Sequence, residues 1–282
     1  MKEHQSHAAS EKRSPWTFFL LVFVLAIPFW VAGPVAERFL ANGLPVGLPI
    51  SSLMVCCPIF AAAILVRTKE GPHEVKELLK RAFDYRRITR RAWYVPILLL
   101  NPAVMVLQYG WMRLVGVQLP GVQVPVRMVA VSFVIFFIGA VGEEVGWQGY
   151  ASDPLQNRWN ALVAGVILGI LGAVWHIIPL IQLGRTPAWI AWHCLSMVAL
   201  RILVVWLYNN TGGSVFAAIL FHAMYNLCTV LLPGHGWPYD PTVAFAILTV
   251  AVGVITFLWG PETLARYRYA RSRRDVLSGV AG

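Results

Sequence analysis

Eight runs of mostly apolar residues, each bounded by charge, proline, glycine or asparagine, account for most of this 282-residue chain. They extend over Thr17 to Gly33, Leu48 to Val66, Trp93 to Val115, Met128 to Trp147, Ala161 to Leu180, Pro187 to Tyr208, Gly213 to Leu232 and Thr242 to Trp259. About 20 apolar residues in a helix cross a hydrocarbon core about 30 Å thick. Lipid offers no partner to backbone amides, so runs of this length read as transmembrane helices. Composition agrees, since 58% of residues are hydrophobic and 13% charged, against about 25% charged in soluble domains. That balance excludes an ordinary soluble globule, and it is the reverse of the one that keeps a chain disordered. Lys2, Lys12 and Arg13 precede the first run. The run is long and no A-x-A cleavage pattern follows it, so it reads as a retained helix and not a secretory signal.

The net charge of +10 lies between the apolar runs and forms no face of its own. That placement argues for topology and membrane lipids as partners and against nucleic acid. The N-terminal tail carries three Lys and Arg, the connection from Arg67 to Arg91 nine, Arg158 one, and Arg266 to Arg274 five. The other side carries only Arg38, Arg113, Arg127 and Arg185, with Arg201 inside a run. An even number of spans and this asymmetry predict a multi-pass cell-membrane protein with both termini cytoplasmic. The expected organisation is a tail over 1–15, a bundle over 16–260 containing the basic connection 67–91, and a basic tail over 261–282. HEVKELLKRAFDYRR, within the connection, has apolar residues at helical spacing and fits an amphipathic interfacial helix or a solvated linker. Trp16, Trp93, Trp159, Trp189 and Trp259 sit near run ends, as interfacial belts do. Pro28, Pro58, Pro96 and Pro102 are expected to kink helices. Cys56, Cys57, Cys194 and Cys228 lie in apolar stretches without CxxC spacing and read as buried hydrophobes.

Ionisable groups at membrane depth are costly and face a bundle interior or a water-filled cavity, so each is a functional candidate. They are Glu143, Glu144, His176, His193, Arg201 and His222, with Asn226 beside them. Two adjacent carboxylates raise the proton affinity of at least one, a condition for a general base. Gln148, four residues after Glu144, shares its face and can hydrogen-bond it. His222 and Asn226 are also four apart and aim an imidazole and a carboxamide at one space, a pair suited to an oxyanion. Glu and two His also make a zinc set, so His176 and His222 are candidate metal ligands; zinc is compatible with these residues and not required by them. His193 reads as a packed polar residue. Arg201 either pairs with Glu144 or snorkels to the interface.

EEVGWQG on one helix, W-H-x-x-P with His176 on the next, and H-x-x-x-N on a later helix resemble the CPBP family of intramembrane proteases. That family includes type II CAAX prenyl endopeptidases and abortive-infection and bacteriocin-immunity-associated proteins. The resemblance covers roughly Met128 to Leu232. It implies an all-α, polytopic membrane helix bundle of about eight transmembrane helices with a conical, cytoplasm-facing polar cavity. It further implies a peptidase acting on a peptide or protein substrate that can be lipidated. Glu143 would activate water, His176 would position it, His222 and Asn226 would hold the oxyanion, and Glu144 would orient the site with Gln148 and Arg201 behind it. The family often has arginine where this chain has Gln148, so either Arg201 replaces that cation, the glutamates' proton affinity rises, or activity is lost. The expected helix ends put His176 about 15 Å deeper than Glu143. A non-catalytic scaffold or immunity-type protein, and a proton-relaying transporter, are the competing readings; neither an inverted repeat nor paired broken helices supports the transporter.

Overall fold

A computed structural model describes residues 13–37, 48–119, 124–236 and 239–265. Of the two basic tails only residues 13–15 and 261–265 are described, and Arg38 lies outside the described residues. All eight apolar runs are helical. Among the described residues seven helices are long and apolar enough to cross a membrane, and a shorter apolar one covers Val215–Leu231. The protein is thus a polytopic helical membrane bundle. Its helices are α1 (Pro15–Glu37), α2 (Cys57–Lys69), α3 (Pro72–Lys80), α4 (Tyr94–Leu114), α5 (Val126–Gly146), α6 (Ser152–Arg158), α7 (Ala161–Gln182), α8 (Pro187–Asn210), α9 (Val215–Asn226) and α10 (Pro241–Trp259).

Helix starts follow from local chemistry. Asn160, Thr186, Ser214 and Asp240 each accept a hydrogen bond from a backbone N–H in the first turn of α7, α8, α9 and α10. These caps satisfy amides that a helix leaves without a partner. Between α8 and α9, Gly212 and Gly213 have φ of +69° and +71°, a left-handed conformation that costs glycine little. Pro28 and Pro102 lie inside α1 and α4 as expected. Pro58 instead opens α2 after a 3-10 segment over Ile50–Cys56, and Pro96 falls in the first turn of α4, where proline is tolerated.

Small residues set the closest helix approaches, as is usual in membranes. A Cβ on Gly142 would stand 2.5 Å from the Val55 carbonyl oxygen, and one on Gly146 would stand 2.5 Å from that of Pro58. One on Gly169 would come within 2.7 Å of the Val198 Cα. So α5 meets α2, and α7 meets α8, backbone to backbone. At Gly139, which lines the cavity described below, a Cβ would meet nothing within 4 Å.

The amphipathic helix of the basic connection ends at Lys80, earlier than its periodicity suggests, and continues as short 3-10 turns. Tertiary bonds account for the break. Arg81 donates to the Gly149 carbonyl at 2.8 Å, the Tyr208 hydroxyl at 2.6 Å and the Gly213 carbonyl at 3.1 Å. Asp84 accepts from the Ser214 hydroxyl at 2.8 Å and the Phe216 N–H at 3.0 Å, capping α9 from outside. Leu78 packs into the bundle while Leu79 and Phe83 remain exposed, as an interfacial segment requires.

Candidate active site

The two glutamates sit near the end of α5, but the span does not stop there. A π turn over Trp147–Ala151 carries it into α6, giving one apolar stretch from Val126 to Arg158. Glu143 therefore precedes Arg158 by the same number of residues as His176 follows Ala161, across the tight turn that joins α6 to α7. Both side chains lie at the same depth, and the mismatch expected from ending the helix at Trp147 disappears. A second π turn, Leu227–Leu231, directly follows Asn226. Such turns are rare, occur often at functional sites, and leave no mark in hydrophobic periodicity.

Glu144 is the hub. It is fully buried, and both of its oxygens accept from Arg201 Nη1, at 2.9 Å and 2.7 Å. Its Oε1 also lies 2.7 Å from His222 Nδ1. Of the alternatives open for Arg201, pairing is the one adopted. Gln148 does not reach Glu144. Its amide donates to the Ser152 hydroxyl at 2.9 Å, and its buried carbonyl oxygen has no partner. The cation beside Glu144 thus comes from another helix, a pairing that spacing along α5 alone does not reveal.

Glu143, buried at 3% exposure, points to the other side of His222, whose Nε2 is 4.0 Å from Glu143 Oε1. The Trp147 indole N–H, one turn on, donates to Glu143 Oε2 at 3.4 Å. Trp147 is not among the expected site residues, although its i, i+4 spacing from Glu143 could have marked it. His176 Nδ1 is 2.8 Å from the Gly172 carbonyl oxygen. A carbonyl only accepts, so Nδ1 carries the proton and Nε2 is left as a lone pair.

These groups line one cavity of about 820 Å3 that also includes Asn226. Its walls are mainly apolar, with polar groups gathered around the glutamates and at Arg185, His193 and Tyr239. At the glutamate end it is closed by Trp147, Leu168 and Val204, all buried. It also reaches Leu183, Arg185, Trp189 and Pro233, at the bundle end opposite the basic connection, and its wall includes the exposed Leu53 and Ile138. Near that end His193, expected only to pack, has its Nδ1 2.9 Å from the Tyr239 hydroxyl and stacks on Trp189. Burial pushes the Tyr239 phenol up to about 12, so it stays a neutral hydroxyl.

Among the described residues no group of three or more His, Cys, Asp and Glu side chains is disposed to hold a metal ion. The zinc set considered for His176 and His222 is not assembled there, and each Nδ1 is engaged elsewhere. The four cysteines are free thiols, unpaired in any disulfide.

Buried carboxylates and imidazoles at the closed end of an apolar cavity define a class of membrane-embedded proteins able to do acid–base chemistry away from bulk water. Residues 125–228 match the family model described as Type II CAAX prenyl endopeptidase Rce1-like. CAAX prenyl protease 2 of Methanococcus maripaludis is 27% identical in an alignment 241 residues long that covers 79% of this chain and 87% of that protein. The chain is thus similar to the type II CAAX prenyl endopeptidases, and both matches indicate a peptidase.

Proposed function

We propose that the protein is an intramembrane endopeptidase in which Glu143 activates the hydrolytic water. The observation that carries this reading is the placement of Glu143, His176 and His222 together at the closed end of the cavity, with His222 held by a Glu144 that Arg201 neutralises. A water between Glu143 and His176 donates one proton to the carboxylate and the other to the His176 Nε2 lone pair. Its own lone pair then faces a peptide carbonyl in the cavity. The water oxygen bonds to the carbonyl carbon as its proton passes to Glu143, and the carbonyl electrons move to oxygen. The amide of Asn226 and, when protonated, His222 Nε2 donate to that oxyanion. Collapse breaks the C–N bond, Glu143 returns the proton to the leaving nitrogen, and a carboxylic acid and an amine result. Glu144 and Trp147 act as positioning residues, on His222 and Glu143 respectively.

The apolar walls suit a peptide with an apolar or lipid-bearing segment, in keeping with the prenyl substrate in the relative's name. We place both termini on the cytoplasmic side, because the basic segments cluster at one end of the bundle. Replacement of the family arginine by Gln148 favoured a non-catalytic scaffold only while Glu144 lacked a cation, and Arg201 supplies one. The test compares new protein N-termini in membranes containing wild type or Glu143→Ala at equal abundance, with His222→Ala as a second control. Termini present only with wild type are expected. Identical sets from folded, matched proteins would move the scaffold reading ahead.

A further inference from the structure

We infer that the basic connection is a lipid-operated clamp on the active site: anionic bilayer headgroups bind its outer face and hold its inner face against the helices that carry the proposed catalytic groups. The effect on catalysis rests on the peptidase reading, whereas the binding does not.

The inner face is the segment from Arg81 to Asp84. Arg81 donates to the carbonyl of Gly149, in the π turn that follows Glu143 and Glu144, and to the Tyr208 hydroxyl on α8, about two turns beyond Arg201. It also donates to the Gly213 carbonyl. The two Asp84 oxygens accept from the Ser214 hydroxyl and from the backbone N–H groups of Val215 and Phe216, at 2.8, 3.3 and 3.0 Å. Those groups open α9, about two turns before His222. A short segment outside the membrane spans thus ties the ends of the three elements that bring Glu143, Glu144, Arg201, His222 and Asn226 together. Segments of this kind open locally at lower cost than a packed core, and a misplacement of about 1 Å can slow catalysis about 100-fold.

The outer face has the chemistry of a membrane surface. Val75, Leu78 and Ala82 pack toward the bundle, which leaves Leu79 and Phe83 turned outward at 41% and 63% exposure, with Tyr85 at 50%. Lys80 pairs with Glu77 and Arg87 with Asp84. Lys76, Arg86, Arg90 and Arg91 are exposed and form no salt bridge among the described residues, with Glu74 the acid beside them. Both ends of the connection are fixed at the membrane surface by the spans Ile50–Lys69 and Arg91–Leu114. Cations beside exposed apolar side chains suit anionic headgroups above an acyl boundary. A soluble polyanion would leave Leu79, Phe83 and Tyr85 in water. Headgroups that bind the docked connection better than a lifted one shift the population toward the docked form.

Amide hydrogen exchange of the full chain, in vesicles of phosphatidylcholine alone or with phosphatidylglycerol added, tests the clamp without catalysis. Peptides covering 78–88 and 213–218 should exchange at least about threefold more slowly with phosphatidylglycerol, and the difference should shrink as salt rises. Equal or faster exchange, or a slowing indifferent to salt, overturns the inference. Inorganic phosphate added to phosphatidylcholine vesicles should not reproduce the slowing; if it does, the face binds free phosphate and not a bilayer. Changing Lys76, Arg86, Arg90 and Arg91 together to glutamine should abolish the lipid response, and a folded variant that keeps it overturns the assignment of the outer face. If that variant does not accumulate, the salt series on the natural chain decides. With a peptide whose cleavage depends on Glu143, phosphatidylglycerol should raise kcat at least about fivefold. A change in KM alone would report attraction of the peptide to the vesicle and refute the effect on catalysis. Absence of cleavage in both vesicles would count against the peptidase proposal alone, and the exchange result would still judge the clamp.

Discussion

Removing Arg201 should harm the protein chiefly by stranding Glu144. Glu144 is fully buried and Arg201 nearly so, with side-chain exposures of 0% and 12%, and two contacts of 2.7 and 2.9 Å join them. Taking away one partner of a buried ion pair costs about 3–5 kcal/mol, mostly because the remaining charge has lost its compensation. His222 stays 2.7 Å from Glu144, so Arg201→Met should fall near the lower limit, about 3 kcal/mol. Glu144→Gln together with Arg201→Met removes both charges and should cost less than Arg201→Met alone, leaving a coupling of about 2 kcal/mol in the double-mutant cycle. Reversible unfolding of the four purified proteins in one detergent measures it. Additive single substitutions, or an Arg201→Met cost under about 1 kcal/mol, would refute the claim that Arg201 is the charge partner of Glu144.

Further outcomes follow from the same geometry. Glu143→Gln keeps the side-chain shape but removes the base, so cleavage should fall at least about 100-fold with little change in the unfolding midpoint; retention of activity would take Glu143 out of the reaction. Gly142→Ala and Gly146→Ala each bring a Cβ within 2.5 Å of a backbone carbonyl that cannot swing aside, and each should cost about 1–3 kcal/mol. Gly139→Ala meets open space and should be neutral or stabilising by up to about 1 kcal/mol, because alanine is the better helix former; thermal scans of all three would expose a wrong sign. Arg81→Ala loses three hydrogen bonds and should cost about 2–4 kcal/mol, with increased proteolysis of the basic connection as a second readout.

The spans were legible in the sequence because lipid demands long apolar helices whatever their neighbours are. The candidate residues were legible for a related reason: Glu143, Glu144, His176, Arg201 and His222 stand out wherever burial of charge is costly. Their partners were legible only as alternatives, as with Arg201, which could pair with Glu144 or snorkel. Gln148 has the spacing to reach Glu144, yet it bonds Ser152, because the π turn after Glu144 rotates the residues beyond it and α8 delivers Arg201 to the vacant side. Periodicity reports which face of a helix is apolar and carries no information about where one turn widens.

The amino-acid sequence alone, then, determined that this chain is a multi-helix membrane protein, which of its charges are buried, and which connections carry the basic residues. Each of these depends on the free energy of moving one segment between water and lipid, a property that a segment holds by itself. Tertiary structure decided that Glu143 and His176 share a depth, that Arg201 is the cation for Glu144, and that these groups line one cavity. Those depend on how α2, α5, α7 and α8 approach at their glycines and where α5 bends, and contacts between segments far apart in the chain have no local signature.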